Sequence, residues 1–291
     1  MKRYTDYFYL VLMTLLSVYL LSSCTYSAVG TKNIGKRSLY DRVIQSGKIR
    51  CAYLIYPPGC SKDPNTGKIS GIGVEAVELV AKKLGLQVEW VEEIGWSTML
   101  EGLNTRRYDL IATPVWTNAN RAKVVSFSKP LFYSPVFVFA RKGDKRFKSH
   151  WEQINSANVK IATIDGGTVE VIAAADFPKA GRLAMPELTD ISQLLLNVAS
   201  GKADITFAES TVADRYIHNN PGTVESINPE KPVRIFSSCW MFNRGEFEFK
   251  EMLDTVLDEV VNSGAMDKII SKYEQVPNEV YRVSLPYQLP K

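Results

Sequence analysis

The chain has 291 residues, of which 45% are hydrophobic and 23% are charged, and its formal net charge is +4. These values are ordinary for a globular protein, and the length suffices for two domains that each bury a core. The basic residues are scattered rather than clustered, which argues against nucleic acid as a partner. The histidines, His150 and His218, and the absence of zinc-type Cys/His spacing argue against a metal site.

The first 23 residues have the composition of a secretory signal. Two basic residues precede the uncharged segment YFYLVLMTLLSVYLL at 7–21, and small residues follow it. This segment is short for a membrane span, which needs about 20 apolar residues. The sequence LSSC at 21–24 resembles the bacterial lipoprotein signal, which implies a mature chain that begins at a lipidated Cys24 and stays anchored to the membrane outside the cytoplasm. Residues 24–37 are then a polar tether. An ordinary cleaved signal with an incidental Cys24 is the alternative.

Strands and helices alternate in the first part of the body. The hydrophobic periodicity and the turn residues predict a strand at 49–56, a helix at 75–84, a strand at 86–92, a short helix at 96–107 and a buried strand at 108–115. This β–α–β–α–β order favours an α/β layer built on a mostly parallel sheet.

The second part of the body has a similar composition of elements. The predicted elements are a strand at 159–164, a helix at 166–177, a helix at 191–202, a strand at 203–210 and two helices within 248–273 that are separated near Gly264. The two parts are alike only in outline, and no short internal repeat is present.

Three cysteines, Cys51, Cys60 and Cys239, remain in the body. An oxidising compartment permits a disulfide, but an odd number of cysteines leaves at least one free thiol. Cys51 lies in an apolar run and is expected in the core. A bridge from Cys60 to Cys239 or to Cys51 stays open.

Ligands of α/β sheets bind beyond the carboxyl ends of the strands. The residues that follow or end predicted strands and carry useful chemistry are Tyr56, Trp116, Arg121, Thr168 and Glu209. Together they supply two aromatic rings, a guanidinium, a hydroxyl and a carboxylate. Such a set suits a small zwitterion.

Seven stretches of the chain resemble the family 3 extracellular solute-binding proteins, which serve ABC transporters for polar amino acids. They are YPP (56–58), GIGVEAVELVAKKLGLQVEWVE (71–92), GWSTMLEGLNTRRYDLI (95–111), NRAKVVSFSKPLFYSPVFVFARKGD (120–144), GGTVE (166–170), GKADITFAES (201–210) and LDEVVNSGAMDKIISKY (257–273). The stretches follow the family order and spacing from about Ser38 to Tyr273.

The resemblance implies a two-lobe periplasmic-binding-protein-like fold of type II. Each lobe has a mostly parallel sheet flanked by helices, and two strands cross between the lobes. One lobe comprises residues 38–132 and 238–291, and the other comprises 133–237. The implied protein is a monomer without cofactor or catalytic activity, which closes on a small ligand and delivers it to an ABC transporter permease.

The resemblance also assigns roles to single residues. Arg121 matches the arginine that binds the α-carboxylate of the ligand, and its planar guanidinium provides two parallel donors. Glu209 matches the aspartate that binds the α-ammonium group. Tyr56 and Trp96 match the aromatic positions around the ligand side chain, and Thr168 matches a hydroxyl at a helix start. An ion pair of Arg121 within its own lobe, or a helix cap by Glu209, is the structural alternative.

Three residues of the predicted ligand-binding set depart from the family pattern. Glu209 is one methylene longer than the usual aspartate and, together with Val169, changes the far wall of the pocket. Pro114 replaces the usual Gly or Ser, and Trp116 replaces the usual Ser or Thr, so a large ring lies next to the predicted carboxylate site. The pocket is therefore expected to be smaller or reshaped. An amino acid remains the favoured ligand, with a small dipeptide or an organic acid as alternatives. The other possibility is that the Trp116 ring fills the cleft and the protein binds no small molecule.

Two other functions fit the same fold. The cyclohexadienyl dehydratases resemble this chain at the GGTVE turn, and Glu209 could act as a general acid there if burial raised its pKa. No second acid or histidine lies near Glu209 in the sequence, and no nucleophile paired with a base is evident, so a binding protein is favoured over an enzyme. The other alternative is an accessory or sensor lipoprotein that acts through a separate partner.

Overall fold

The computed structural model describes residues 38–96, 98–147, 151–186, 189–275 and 279–284. The predicted secretory signal, the predicted lipidation site Cys24, the predicted tether up to residue 37 and His150 lie outside these residues. From Leu39 onward the chain forms one compact unit.

The first group of elements ends before residue 131. Its helices are α1 (Leu39–Ser46), α2 (Ile72–Lys83), α3 (Met99–Asn104) and α4 (Ala119–Ala122), and its strands are β1 (Lys48–Tyr53), β2 (Ser61–Lys62), β3 (Ile69–Ser70), β4 (Gln87–Glu93), β5 (Leu110–Trp116) and β6 (Val125–Phe127).

The second group starts with a long strand. Its elements are β7 (Phe132–Arg141), a 3-10 turn (Trp151–Ile154), β8 (Lys160–Ile164), α5 (Thr168–Asp176), β9 (Gly181–Met185), α6 (Ser192–Ala199), β10 (Ile205–Glu209), α7 (Ser210–Asn219), β11 (Val224–Ser226), β12 (Arg234–Asn243), α8 (Phe247–Asn262) and α9 (Ala265–Tyr273).

One mixed sheet connects both groups in the described part of the chain, in the strand order β4-β1-β5-β12-β7-β10-β8-β9. The outer strands pair in parallel on each side, while the two ten-residue strands β7 and β12 pair antiparallel at the centre. A hydrogen bond of 2.8 Å joins the buried hydroxyls of Ser134 and Ser238 across these two central strands. The central pair is thus the only sheet contact that links the β5 side to the β10 side within the described residues.

The buried apolar residues separate into cores on the two sides of this central pair. One core lies between residues 136 and 227 and includes Phe177 stacked on Phe207 at 5.4 Å. The other side is filled by two clusters, which come from residues before 133 and after 239. Two cores of this size each bury their own helix faces, so each side of the molecule is stabilised by its own apolar packing.

The predicted elements are present, with changes at their ends. β1 ends at Tyr53 rather than at residue 56, because Tyr56 pairs with Cys60 across a tight turn. α3 is shorter than the predicted helix, since Arg106 takes a left-handed φ of 58° just beyond it. Gly264, at φ 76°, separates α8 from α9 as predicted. Among the elements that the sequence patterns did not reveal are α1, α7, β9 and β11.

The three cysteines of the body are free and buried. Neither of the two disulfides left open for Cys60, to Cys239 or to Cys51, is therefore formed. No helix in the described ranges has the length and apolar character to cross a bilayer. The same residues contain no cluster of three or more side chains suited to holding a metal ion.

Candidate ligand-binding site

Arg121 lies in α4, the short helix that directly follows β5. The side chain of Asn118 caps this helix by accepting a hydrogen bond from the backbone N–H of Arg121 at 2.9 Å. Such caps are typical of helix N-termini and fix the backbone of the first turn. The position of the guanidinium is therefore set by a local turn rather than by a long loop.

The guanidinium of Arg121 has polar and aromatic neighbours but no carboxylate partner among the described residues. Its Nη1 atom donates to the backbone O of Trp116 at 2.9 Å, and its Cζ atom lies 5.9 Å from the ring centroid of Trp96. None of the salt bridges among the described residues includes Arg121, so the alternative of an ion pair within its own lobe finds no partner there. Burial lowers the pKa of this guanidinium, although an arginine stays charged in proteins.

Glu209 ends β10 and has lost almost all contact with solvent. It is 4% exposed. Its Oε2 atom accepts hydrogen bonds from the hydroxyls of Thr211 at 3.2 Å and Tyr56 at 3.3 Å, whereas its Oε1 atom has no hydrogen-bond partner among the described residues. The residue occupies the N-cap position of α7, but its side chain makes no capping bond, so the capping alternative is wrong.

Burial controls the protonation of Glu209. Desolvation raises its pKa to about 7, against the opposing effect of polar groups on Ser134, Thr211, Tyr56 and Trp116. No lysine or arginine forms an ion pair with it in the described part of the chain. The Tyr56 phenol, whose pKa burial raises well above its usual value, stays protonated and donates to the carboxyl group.

Aromatic rings connect the two charged residues. Tyr56 and Trp96 meet edge to face, with ring centroids 5.5 Å apart. Trp116 stacks on Phe236 at 4.7 Å with an interplanar angle of 10°. A chain of direct contacts therefore runs from Glu209 through Tyr56 and Trp96 to Arg121. Five of the seven predicted site residues belong to this cluster, namely Tyr56, Trp96, Trp116, Arg121 and Glu209.

Pro114 and Thr168 stand apart from the cluster. The Pro114 ring is buried and fits against two glycines: a Cβ built on Gly73 would lie 2.4 Å from its Cδ atom, and one on Gly59 would lie 3.0 Å from it. Thr168 is the first residue of α5, which has no side-chain cap. No hydrogen bond joins Thr168 to the other six residues in the described structure. The roles of both residues in binding stay predictions.

Four residues of the site were not predicted from the sequence: Asn118, Ser134, Thr211 and Phe236. The spacing of an Asn three residues before Arg121 is a helix-start signal that could have identified Asn118. Thr211 lies two residues after Glu209 and contacts it locally. Ser134 and Phe236 contribute through the pairing of strands β7 and β12, which local patterns do not specify.

Solved structures define the class of protein to which this arrangement belongs. An ancestral amino acid-binding protein, described as a precursor of cyclohexadienyl dehydratase, has 26% sequence identity and a TM-score of 0.67, and the match covers 81% of this chain and 99% of that one. The fold is accordingly the two-lobe, type II binding-protein fold, with mixed α/β layers and two central crossing strands. This confirms the fold class predicted from the sequence.

The family follows from the sequence itself. The family model of the bacterial extracellular solute-binding proteins, family 3, matches residues 49–276, and the chain belongs to this family. A probable amino-acid ABC transporter-binding protein of Haemophilus influenzae is 27% identical over 204 residues, which are 70% of this chain and 76% of that protein. The cyclohexadienyl dehydratase of Pseudomonas aeruginosa is 25% identical over 234 residues, which are 79% of this chain and 84% of the enzyme.

Proposed function

We propose that this protein binds a small zwitterion of the amino-acid type and delivers it to an ABC transporter. The observation that carries the proposal is a pair of charges without counter-charges. In the part of the chain that the structure describes, the guanidinium of Arg121 has no carboxylate partner and the buried carboxyl of Glu209 has no cationic partner. Burying an unpaired charge is costly. A ligand with both an anionic and a cationic group would satisfy both residues at once.

The ligand is proposed to lie between the two lobes. We assign residues 38–132 and 238–291 to one lobe and 133–237 to the other, so that Arg121 and Glu209 belong to different lobes. A ligand that contacts both residues binds the closed form more tightly than the open form, and its differential affinity shifts the population toward closure. The Tyr56–Glu209 hydrogen bond of 3.3 Å supports this arrangement, because it already spans the same gap.

The interactions are sufficient for useful affinity. A micromolar dissociation constant corresponds to about 8 kcal/mol. Charge-assisted hydrogen bonds contribute roughly 1.5–3 kcal/mol each, and Arg121 and Glu209 can each make at least one. Burial of the ligand against the rings of Tyr56 and Trp96 supplies the remainder. In this proposal Thr168 adds a donor at the start of α5, and Pro114 and Trp116 shape the wall beside Arg121.

The proposed location follows from the N-terminus. The chain would be cleaved before Cys24 and carry lipid on that cysteine, as a monomer outside the cytoplasm within reach of a permease. Replacing Cys24 with Ser tests this part. We expect the protein to leave the membrane fraction and appear soluble outside the cytoplasm, and unchanged membrane association would contradict it.

The ligand is identified by thermal shift followed by calorimetry. The purified protein, unfolded and refolded to remove any carried ligand, is screened against amino acids, small dipeptides and organic acids. We expect at least one zwitterion to raise the melting temperature and to bind with one-to-one stoichiometry. Organic acids without an amino group that bind equally well would contradict a role for Glu209 in binding a cation. A screen in which no zwitterion binds would contradict the proposed function.

The raised pKa of Glu209 favours one further candidate function. A buried carboxyl that is half protonated near pH 7 is suited to general acid catalysis, and one relative is a dehydratase. The test is turnover of prephenate or arogenate by the purified protein, with Glu209→Gln as the control. Turnover that is lost in the variant would establish an enzyme, and silent binding by the wild-type protein would exclude this candidate.

A further inference from the structure

Strand register places Phe236 on the same sheet face as the two residues that flank the site. Trp116 on β5 pairs with Ser238 on β12, Phe236 on β12 pairs with Ser134 on β7, and Glu209 on β10 pairs with Val136 on β7. Side chains two residues apart on a strand share a face. Trp116, Phe236, Ser134 and Glu209 therefore point to one side of four neighbouring strands. The hydroxyl bond between Ser134 and Ser238 agrees with this register.

Phe236 holds the Trp116 ring in place. The two rings are nearly parallel, at 10°, with centroids 4.7 Å apart. The backbone beside Trp116 is also attached to β12, through the N–H of Thr117 and the carbonyl of Ser237 at 3.1 Å. With backbone and ring both fixed to the same strand, the indole has little freedom to swing out of the site. Stacked aromatic pairs are stabilised beyond what their buried area contributes.

The fixed indole lies close to Arg121 in the chain and on the sheet face that carries Glu209. Strands are about 4.8 Å apart, so the three steps from β5 to β10 cover about 14 Å. The backbone O of Trp116 accepts a hydrogen bond from Arg121 at 2.9 Å, and the Trp116 side chain points to the sheet face that carries Glu209. A ligand that bridges Arg121 and Glu209 must share this space with the indole.

We propose that Phe236 is a positioning residue that sets the size limit for the ligand, because it holds the Trp116 indole across the site. The inference rests on the proposed function and narrows it to small amino acids rather than bulky ones or dipeptides. Phe236 acts on the ligand through Trp116, and its removal releases the ring and enlarges the pocket.

The test compares how well variants bind small and large zwitterions. The readout is the ratio of the dissociation constants for a large ligand, arginine or glycylglycine, and a small one, glycine or alanine. Both Phe236→Ala and Trp116→Ala are expected to lower this ratio by roughly tenfold or more, which is the usual discrimination for a few atoms in a pocket. Phe236→Leu, which retains volume but not stacking, should lower it by less. A general loss of stability would weaken the binding of both ligands alike, so it would leave the ratio of the two dissociation constants unchanged.

The double variant separates positioning from a direct contact. If Phe236 acts through Trp116, then Phe236→Ala should change nothing further in a Trp116→Ala protein, and the two effects should be strongly non-additive. The matched control is Tyr53→Leu, which removes an aromatic neighbour of Trp90 outside the site, and its ratio should equal that of the wild type.

Each result decides the inference. An unchanged ratio in Phe236→Ala, or additive effects in the double variant, would overturn it while leaving ligand binding by the wild-type protein intact. A wild-type protein that binds no zwitterion would overturn the proposed function, and with it the inference, even if a Trp116→Ala variant does bind one. If neither binds any zwitterion although both are folded, the proposed function fails and the inference fails with it.

Discussion

The two ends of the candidate site differ in how they carry charge. Arg121 is only half-buried and is held by neutral groups, the carbonyl of Trp116 and the ring of Trp96. Glu209 is buried, and its pKa is raised to about 7. Neither residue has a counter-charge among the described residues, but the consequences differ. Arg121 stays charged, because a guanidinium does not lose its proton at neutral pH, whereas the Glu209 carboxylate can take up a proton and become neutral.

This difference separates two tasks within one site. The Arg121 end presents a permanent cation to the ligand at every physiological pH. The Glu209 end presents an anion only after losing a proton, so the proton and the cationic group of a ligand compete for it. The contribution of Arg121 to ligand affinity is therefore constant with pH, whereas the contribution of Glu209 changes with pH.

The largest effect is expected from removing the permanent charge. Arg121→Ala should weaken ligand binding by about 4 kcal/mol, roughly a thousandfold, as when one partner of a buried charge pair is truncated. The melting temperature of the ligand-free protein should change little, because no ion pair is lost. Calorimetry and thermal unfolding measure the two quantities. Arg107→Ala, which removes an exposed guanidinium, is the matched control. Intact affinity with a large loss of stability would show that Arg121 is structural.

The titratable end should reveal itself in the pH dependence of stability. The folded pKa of Glu209 is raised above its unfolded value near 4.5, so its contribution to stability is present below pH 4.5 and is lost as the pH rises through 7. Relative to Glu209→Gln, the unfolding free energy of the wild-type protein should fall by roughly 3 kcal/mol over this range.

Denaturant unfolding at pH 4.5, 6 and 8 measures this difference. Burial also raises the pKa of Asp214 and Glu279, but both residues remain in the variant and cancel in the comparison. Parallel curves for the two proteins would mean that folding does not raise the pKa of Glu209.

Ligand affinity should depend on pH in the opposite direction. Since the cationic group of the ligand needs the ionised carboxylate, the association constant should fall by about tenfold per pH unit below pH 7. Calorimetry between pH 5.5 and 8, in buffers with different heats of ionisation, also counts the protons that binding releases. Glu209→Gln should bind weakly but with a flat profile. A flat profile for the wild-type protein would show that its ligand does not rely on this carboxylate.

A smaller change is expected at the contact between the two ends. Tyr56→Phe removes one hydrogen bond, worth about 1 kcal/mol, and should change affinity by less than tenfold. Because the phenol lowers the pKa of Glu209, its loss should move the midpoint of the affinity profile to higher pH. Trp90→Phe, in the aromatic pair at Tyr53, serves as a control that should leave the midpoint in place.

Much of this protein could be predicted from its sequence, because local patterns determine local elements. The strand at β5 is a continuous apolar run, and Gly264 stops one helix and starts the next. The site residues Tyr56, Arg121 and Glu209 were found because each follows or ends a strand. The carboxyl ends of parallel strands lie at the same edge of a sheet, so residues at these ends lie near one another.

Other features depend on pairing between distant segments. Phe236 and Ser134 belong to the site only because β12 and β7 lie side by side in a particular register. Among the described residues, Arg121 lacks a carboxylate partner and the Oε1 atom of Glu209 lacks a hydrogen-bond donor. Both facts depend on how distant segments pack, which local sequence patterns do not specify. The position of Pro114 shows the same limit, since its ring is accommodated by Gly73, more than 40 residues earlier in the chain.

The buried thiols make this protein suitable for site-specific fluorescent labelling. Burial raises the pKa of Cys60 to about 11 and that of Cys239 to about 12, and that of Cys51 well above its normal value. Thiols that are both inaccessible and protonated react slowly with maleimide dyes. A single cysteine introduced at the cleft rim of the body could therefore be labelled selectively, and its fluorescence would report hinge motion without first replacing the native cysteines of the core.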